Sequence, residues 1–114
     1  MVNFEDFKKL DLRIGKIEKA ERVQGSEKLI KLSVSLGEES RQIIAGIGKS
    51  YELADLLGKQ IVIVSNLKPR TFNIEHNSER VALESQGMLL AIRDGEDVVL
   101  LTPEREVPPG SVVS

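Results

Sequence analysis

The stretch Ile30-Lys31-Leu32-Ser33-Val34-Ser35-Leu36 alternates between apolar and polar residues without a break. Successive side chains of a strand point to opposite faces, so this pattern describes a strand with one dry and one wet face. Gly37-Glu38-Glu39-Ser40 then reads as a turn, and Arg41-Gln42-Ile43-Ile44-Ala45 as the returning strand. Gln60 to Ser65 is a β-branched run, apolar on both faces, which predicts a central strand. Met88 to Ile92 and Val98 to Leu101, joined by Asp94-Gly95-Glu96, predict a last hairpin.

The remaining segments fit around these strands. Asn3 is placed to cap a short helix with Phe4, Phe7 and Leu10 on its apolar face, and Val2 could staple onto Phe7. After Asp11, Leu12 and Ile14 share a phase that Ile17 breaks, and Gly15 at the slip suggests a bulge. Ser50 to Gly58 predicts a second short helix, capped by Ser50 and stopped by Gly58. Thr71 to Glu84 reads as a long polar loop, and Pro103, Pro108 and Pro109 break the tail into turns before Val112 and Val113. Five or more short antiparallel strands with one interposed helix fit an all-β, five-stranded Greek-key barrel with short helices. The oligonucleotide/oligosaccharide-binding (OB) fold is the leading candidate. With no repeat and no linker, 114 residues form a single domain, with its core at about 10–102 and an extension at about 103–114.

Composition bounds the function. A 30% charged, 40% hydrophobic chain is of the soluble globular type. The N-terminus has no apolar signal core, and no apolar run approaches the ~18 residues that cross a bilayer. The absence of Cys removes disulfides and thiolate metal sites and fits a reducing, cytoplasmic setting. Net charge is −2, whereas nucleic-acid binders draw affinity from phosphate neutralisation. Nucleic-acid binding would therefore need the 16 Lys and Arg residues gathered on one face.

No catalytic constellation emerges. The only histidine, His76, stands in the polar stretch without a partner set, and no metal-ligand spacing or cofactor motif is present. Gly46-Ile47-Gly48-Lys49 lacks the spacing of a phosphate loop and reads as a turn.

Asn66-Leu67-Lys68-Pro69-Arg70 has the chemistry of an RNA contact. Pro69 ends the strand by removing a ladder donor and keeps Lys68 out of helical geometry. Lys68 then supplies a point charge and Arg70 a fork for phosphate, while Asn66 can donate to and accept from a base edge. In the second segment, Ser85 offers a hydroxyl, Gly87 close backbone approach, and Met88 a polarisable surface. A solvated loop with Met88 in the core fits the same residues.

At this point the chain resembles a known family: the tRNA-binding domain found at the C-terminus of methionyl-tRNA synthetases, as their beta subunits and as stand-alone proteins. The resemblance is carried by Asp11-Leu-Arg-Ile-Gly-Lys-Ile17, Ser26-Glu-Lys-Leu29, Arg41-Gln-Ile-Ile-Ala-Gly-Ile47, Gly58-Lys59, Asn66-Leu-Lys-Pro-Arg70, Glu84-Ser-Gln-Gly-Met-Leu-Leu-Ala91, Leu101-Thr-Pro103 and Val107-Pro-Pro-Gly110. It implies an OB barrel whose C-terminal extension pairs two copies into a dimer. It also implies binding of the outer corner of tRNA without strong base preference, and no catalytic residue or cofactor. RNA contact carries over to Lys28, Asn66, Lys68, Arg70, Ser85 and Met88, with Lys31 and Arg41 as weaker additions. Phe72 could stack on a base or plug the loop onto the barrel. The family's short basic, glycine-containing connector is replaced here by a longer, less basic one, Thr71 to Glu84. A methionyl-tRNA synthetase catalytic chain is the implied partner. The alternative is a dimeric export-type chaperone of the same superfamily that binds polypeptides, whose opening Phe4–Gly15 also resembles.

Overall fold

The computed structural model describes residues Met1–Ser114. The alternating stretch forms β2 (Ile30–Ser35), flanked by β1 (Leu12–Arg22) and β3 (Ser40–Ala45). β4 (Gln60–Val64) lies on the other side of β1 and carries the two-residue β7 (Met88–Leu89) on its far edge. The antiparallel order is thus β3-β2-β1-β4-β7. Gln42 and Gln86 close the sheet towards a barrel: the Gln86 backbone N–H donates to the Gln42 carbonyl at 2.7 Å, and the Gln42 N–H donates to the Gln86 side chain at 2.9 Å. The result is the OB-type barrel expected from the strand pattern.

The barrel interior is aliphatic. Ile30, Leu32 and Val34 of β2 meet Ile43 of β3, Ile61 and Ile63 of β4, Ile17 of β1, and Leu56 of the short helix α2 (Leu53–Leu56). All are fully buried. At ~25 cal/mol per Å² of apolar surface removed from water, these side chains dominate the stability of the domain.

The phase slip in β1 has a different cause from the expected glycine bulge. Gly15 sits in unbroken register opposite Ile61 of β4, and the irregularity lies between Ile17 and Lys19 in the pairing with β2. The first half of β1 is buried on both faces: Gly15 and Ile17 look inward with Ile61 and Ile63, while Leu12, Ile14 and Val64 are buried on the other face. Gly15 is needed for close packing, because a Cβ there would collide with the side chain of Val34.

Local capping departs from expectation at one helix. α1 (Phe4–Phe7) is capped by Asn3, whose Oδ1 accepts from Asp6 N–H at 2.9 Å. Its apolar side is not covered: Phe4 is 69% exposed, and Val2, Phe7 and Leu10 are exposed too. α2 begins after Glu52, not Ser50. The Ser50 hydroxyl instead accepts from Val98 N–H at 2.9 Å, tying the loop to the last hairpin.

The stretch read as a long polar loop is a β-hairpin, β5 (Arg70–His76) with β6 (Glu79–Ser85). Asn77 and Ser78 form its turn, both with positive φ (53° and 65°), the geometry that suits the twist of a two-residue hairpin. β8 (Ala91–Asp94) and β9 (Asp97–Leu100) form the last hairpin, but the run expected as its first strand, Met88 to Ile92, is split, with Met88 and Leu89 paired to β4; β10 (Val112–Val113) pairs with the start of β1. No helix is long and apolar enough to cross a membrane.

Candidate nucleic-acid interface

Two cross-strand pairs bring the motif segments together. Val64 lies opposite Met88 in β4–β7, and Arg70 lies opposite Ser85 in β5–β6. Asn66–Arg70 and Ser85–Met88 are thereby bracketed into one corner of the barrel. The two segments meet because β4 passes directly into the hairpin and the hairpin returns directly into β7.

Within that corner the residues divide by role. Asn66 Oδ1 accepts from Asp11 N–H at 2.8 Å, and its Nδ2 donates to the Lys9 carbonyl at 2.7 Å. Both polar atoms of the side chain therefore bind the N-terminal segment and hold the corner in shape, while Asn66 itself stays exposed. Ser85 is 3% exposed; its hydroxyl accepts from Ile44 N–H and donates to the Gly87 carbonyl, each at 2.9 Å. It satisfies a buried donor and does not face a ligand. Gly87, at φ 142°, permits approach of the chain's own backbone: a Cβ would lie 2.9 Å from the Val64 carbonyl. Arg41 is spent similarly, donating to the carbonyls of Ser65 (2.6 Å) and Gln86 (3.2 Å) and pairing with Glu39 at 2.8 Å.

Lys68, Arg70 and Met88 are free to meet a ligand. Lys68 and Arg70 are exposed and take part in none of the six ion pairs of the molecule. The Arg70 guanidinium lies over the Phe72 ring, 4.6 Å from its centroid, and its N–H fork is unpaired. Arg70, Phe72, Ile74 and His76 project from the same face of the hairpin, with Ser85, Leu83, Val81 and Glu79 opposite them. Glu84, opposite Thr71, points to the other face and so does not neutralise Arg70. Met88 is 47% exposed, which removes the reading that buried it in the core.

The other two candidates lie on and beside β2, where Lys31 shares a groove with Gln86. Lys28 is in the connection between β1 and β2, its side chain laid over Gly46, where a Cβ would come within 3.1 Å of Cε. Lys31 is on β2 and pairs with Glu21 at 2.6 Å. His76 stands opposite Glu79 near the hairpin tip.

Behind the corner, Asp11 joins the N-terminal segment to the end of β4. Its carboxylate accepts from Ser65 Oγ at 2.8 Å and from Arg13 Nε at 3.0 Å. The Ser65 hydrogen bond first, then that from Arg13, holds its pKa below the ordinary aspartate value.

Sequence reasoning missed the inner face of the hairpin, Ile74, Val81 and Leu83, and the barrel-closing pair Gln42 and Gln86. The first group had a usable signal: apolar residues at every second position on both sides of Asn77-Ser78. The glutamines had none.

The family model described as a putative tRNA binding domain matches residues 12–112. A methionine–tRNA ligase of Archaeoglobus fulgidus is 47% identical over 112 residues, 98% of this chain and 16% of the ligase. That of Thermotoga maritima is 46% identical over 113 residues, 99% of this chain and 17% of the ligase. The chain therefore spans about one sixth of the length of these curated relatives. Among solved structures, a MetRS related protein from Pyrococcus horikoshii superposes with a TM-score of 0.83 at 34% identity, covering all of this chain and 98% of that one. The chaperone CsaA of Bacillus anthracis gives a TM-score of 0.84 at 38% identity, covering all of this chain and 99% of that one. With the family model matched along nearly its whole length and synthetase segments almost half identical to it, this chain belongs to the putative tRNA binding domain family.

Proposed function

We propose that the chain is a non-catalytic module that seats folded tRNA at the Asn66–Arg70 and Ser85–Met88 corner. The observation that carries this is the pairing of Val64 with Met88 and Arg70 with Ser85, which brackets two unpaired cations and an exposed methionine into one corner of the barrel. In this reading Lys68 and Arg70 contact phosphate, Met88 and Phe72 offer surface to bases, and Asn66, Ser85 and Arg41 hold the corner in shape. Lys28 would extend the contact along the β1–β2 connection. A net charge of −2 does not oppose this, because the field that matters is local to the seat.

Few aromatic platforms, one Tyr and three Phe with no Trp, favour recognition of RNA by shape and backbone over stacking on an unfolded strand. Likeness to segments of methionine–tRNA ligases supports a methionyl-tRNA synthetase chain as partner in the cytoplasm. The module would then raise the tRNA concentration near a tethered active site, without chemistry of its own. The exposed Phe4, Phe7, Leu10 and Val112 support a homodimer built with the C-terminal extension at 103–114, which sedimentation velocity tests directly. A single species at the monomer mass would overturn it.

The deciding experiment is a gel shift of the chain with total tRNA, single-stranded DNA and a model unfolded peptide. tRNA should be retained preferentially. With about five phosphate contacts, tripling the salt should weaken binding by roughly tens of fold. A flat salt response would remove the cationic seat. The likeness to CsaA favours a second reading, a polypeptide-binding chaperone, and preferential capture of the peptide would establish it.

A further inference from the structure

Two cavities flank the inner face of the hairpin and share a wall. The first, a cleft of about 370 Å³, lies between the hairpin and the end of β1, with Val23, Ile74, Val81 and Leu83 as its apolar lining. The β1–β2 connection runs close beside the hairpin: a Cβ on Gly25 would meet the Glu75 carbonyl and the side chains of Ile74 and His76. The second, about 500 Å³, is a polar groove over β1, β2 and β3 lined by Lys19, Ser33, Arg41, Gln42 and Gln86. Glu21 and Lys31 line both, and their 2.6 Å ion pair stands between the two compartments.

We propose that this pair of compartments takes one unstacked nucleotide of the bound RNA, its phosphate in the groove and an amino-bearing base in the cleft. The inference rests on the tRNA-binding reading and adds to it a local base preference. The volume of the cleft falls in the range of roughly 300–1,000 Å³ typical of small-ligand sites, and its branched aliphatic wall suits the flat face of a base. Phosphate favours the groove over the cleft: the cleft balances the carboxylates of Glu21 and Glu79 against Arg22 and Lys31, whereas the groove sets Lys19, Lys31 and Arg41 against Glu21 alone. Glu79 takes part in no ion pair, and an ionised carboxylate only accepts hydrogen bonds. An exocyclic amino group satisfies it, whereas the 4-carbonyl of uracil would set acceptor against acceptor. In the groove, Lys19 has no carboxylate partner. Lys31 can exchange Glu21 for the incoming phosphate without leaving its strand, and that exchange frees Glu21 to accept from the base. Ion-pair exchange at the shared wall thus couples the two halves of the nucleotide.

The test is an amide chemical-shift titration of the full chain with CMP, UMP, ribose 5-phosphate and a model unfolded peptide, beside a gel shift with tRNA. CMP and UMP differ at the group Glu79 would read. CMP should perturb Ile74, Val81 and Leu83 at concentrations about tenfold below UMP, and Glu79→Gln, whose amide both donates and accepts, should abolish that preference. Equal responses to CMP, UMP and ribose 5-phosphate would overturn the base cleft. So would perturbation by the peptide at lower concentration than CMP, which would make the cleft a polypeptide site. Retention of tRNA with no cleft perturbation by CMP sinks this inference alone; loss of tRNA retention sinks the reading beneath it.

Discussion

Strand β2 and the β5–β6 hairpin carry the same apolar-polar alternation but put it to different uses. On β2, Ile30, Leu32 and Val34 are at most 1% exposed. On the hairpin, Val81 keeps 47% of its surface, and Phe72, Ile74 and Leu83 are only partly covered. The local pattern sets which residues share a face. Whether that face is sealed depends on what lies across from it, and across from the hairpin lies a cleft. The barrel uses its apolar face for stability, and the hairpin keeps much of its own available to a ligand.

Truncation should separate the two regions most strongly. Leu32→Ala should cost about 2–5 kcal/mol in urea unfolding, and Val81→Ala about 0.5 kcal/mol. Equal losses would erase the contrast. Ser85→Ala tests the point where the regions join: an unsatisfied Ile44 N–H should cost about 1–3 kcal/mol, while the folded fraction binds tRNA as before. A fall in tRNA affinity with unchanged stability would return Ser85 to the contact surface. Lys68→Ala combined with Arg70→Ala should leave the melting temperature unmoved and weaken tRNA binding about tenfold in a native gel. Unchanged retention would move the seat elsewhere.

The smallest effect concerns Asp11, whose pKa is lowered in the folded state. A depressed carboxylate stabilises the fold above its unfolded pKa, and that contribution disappears as pH falls through the lowered value. Asp11→Asn should therefore flatten the acid limb of the stability profile below about pH 4, by an amount limited by the partial exposure of the Asp11–Arg13 pair. An unchanged acid limb would show that the corner does not depend on this carboxylate.

The barrel was legible because β2 and β4 each bury one face completely, and complete burial of a face leaves apolar residues at every second position. The hairpin reads as a loop in the sequence because His76 and Glu79 interrupt its apolar face at the tip and its Asn77-Ser78 turn lacks the usual glycine. The segments that meet in the corner were legible from their motifs, but the division of roles within them was not. Asn66 and Ser85 have the chemistry of ligand contacts. Their hydrogen bonds go instead to backbone 55 and 41 residues away, and no local pattern records a partner at that distance. The Gly15 bulge failed for a related reason: two-sided burial and a bulge both break the period of two.

Leu12 of β1 and Val113 of β10 are cross-strand partners, so the first and last strands lie side by side. A short linker could therefore join them, and the chain could be reopened at Asp94-Gly95, where a Cβ on Gly95 would meet nothing within 4 Å. Such a circular permutant would keep the barrel and the corner while changing the order in which they are synthesised. The same adjacency lets this barrel be spliced into a surface loop of a host protein without prising the host apart.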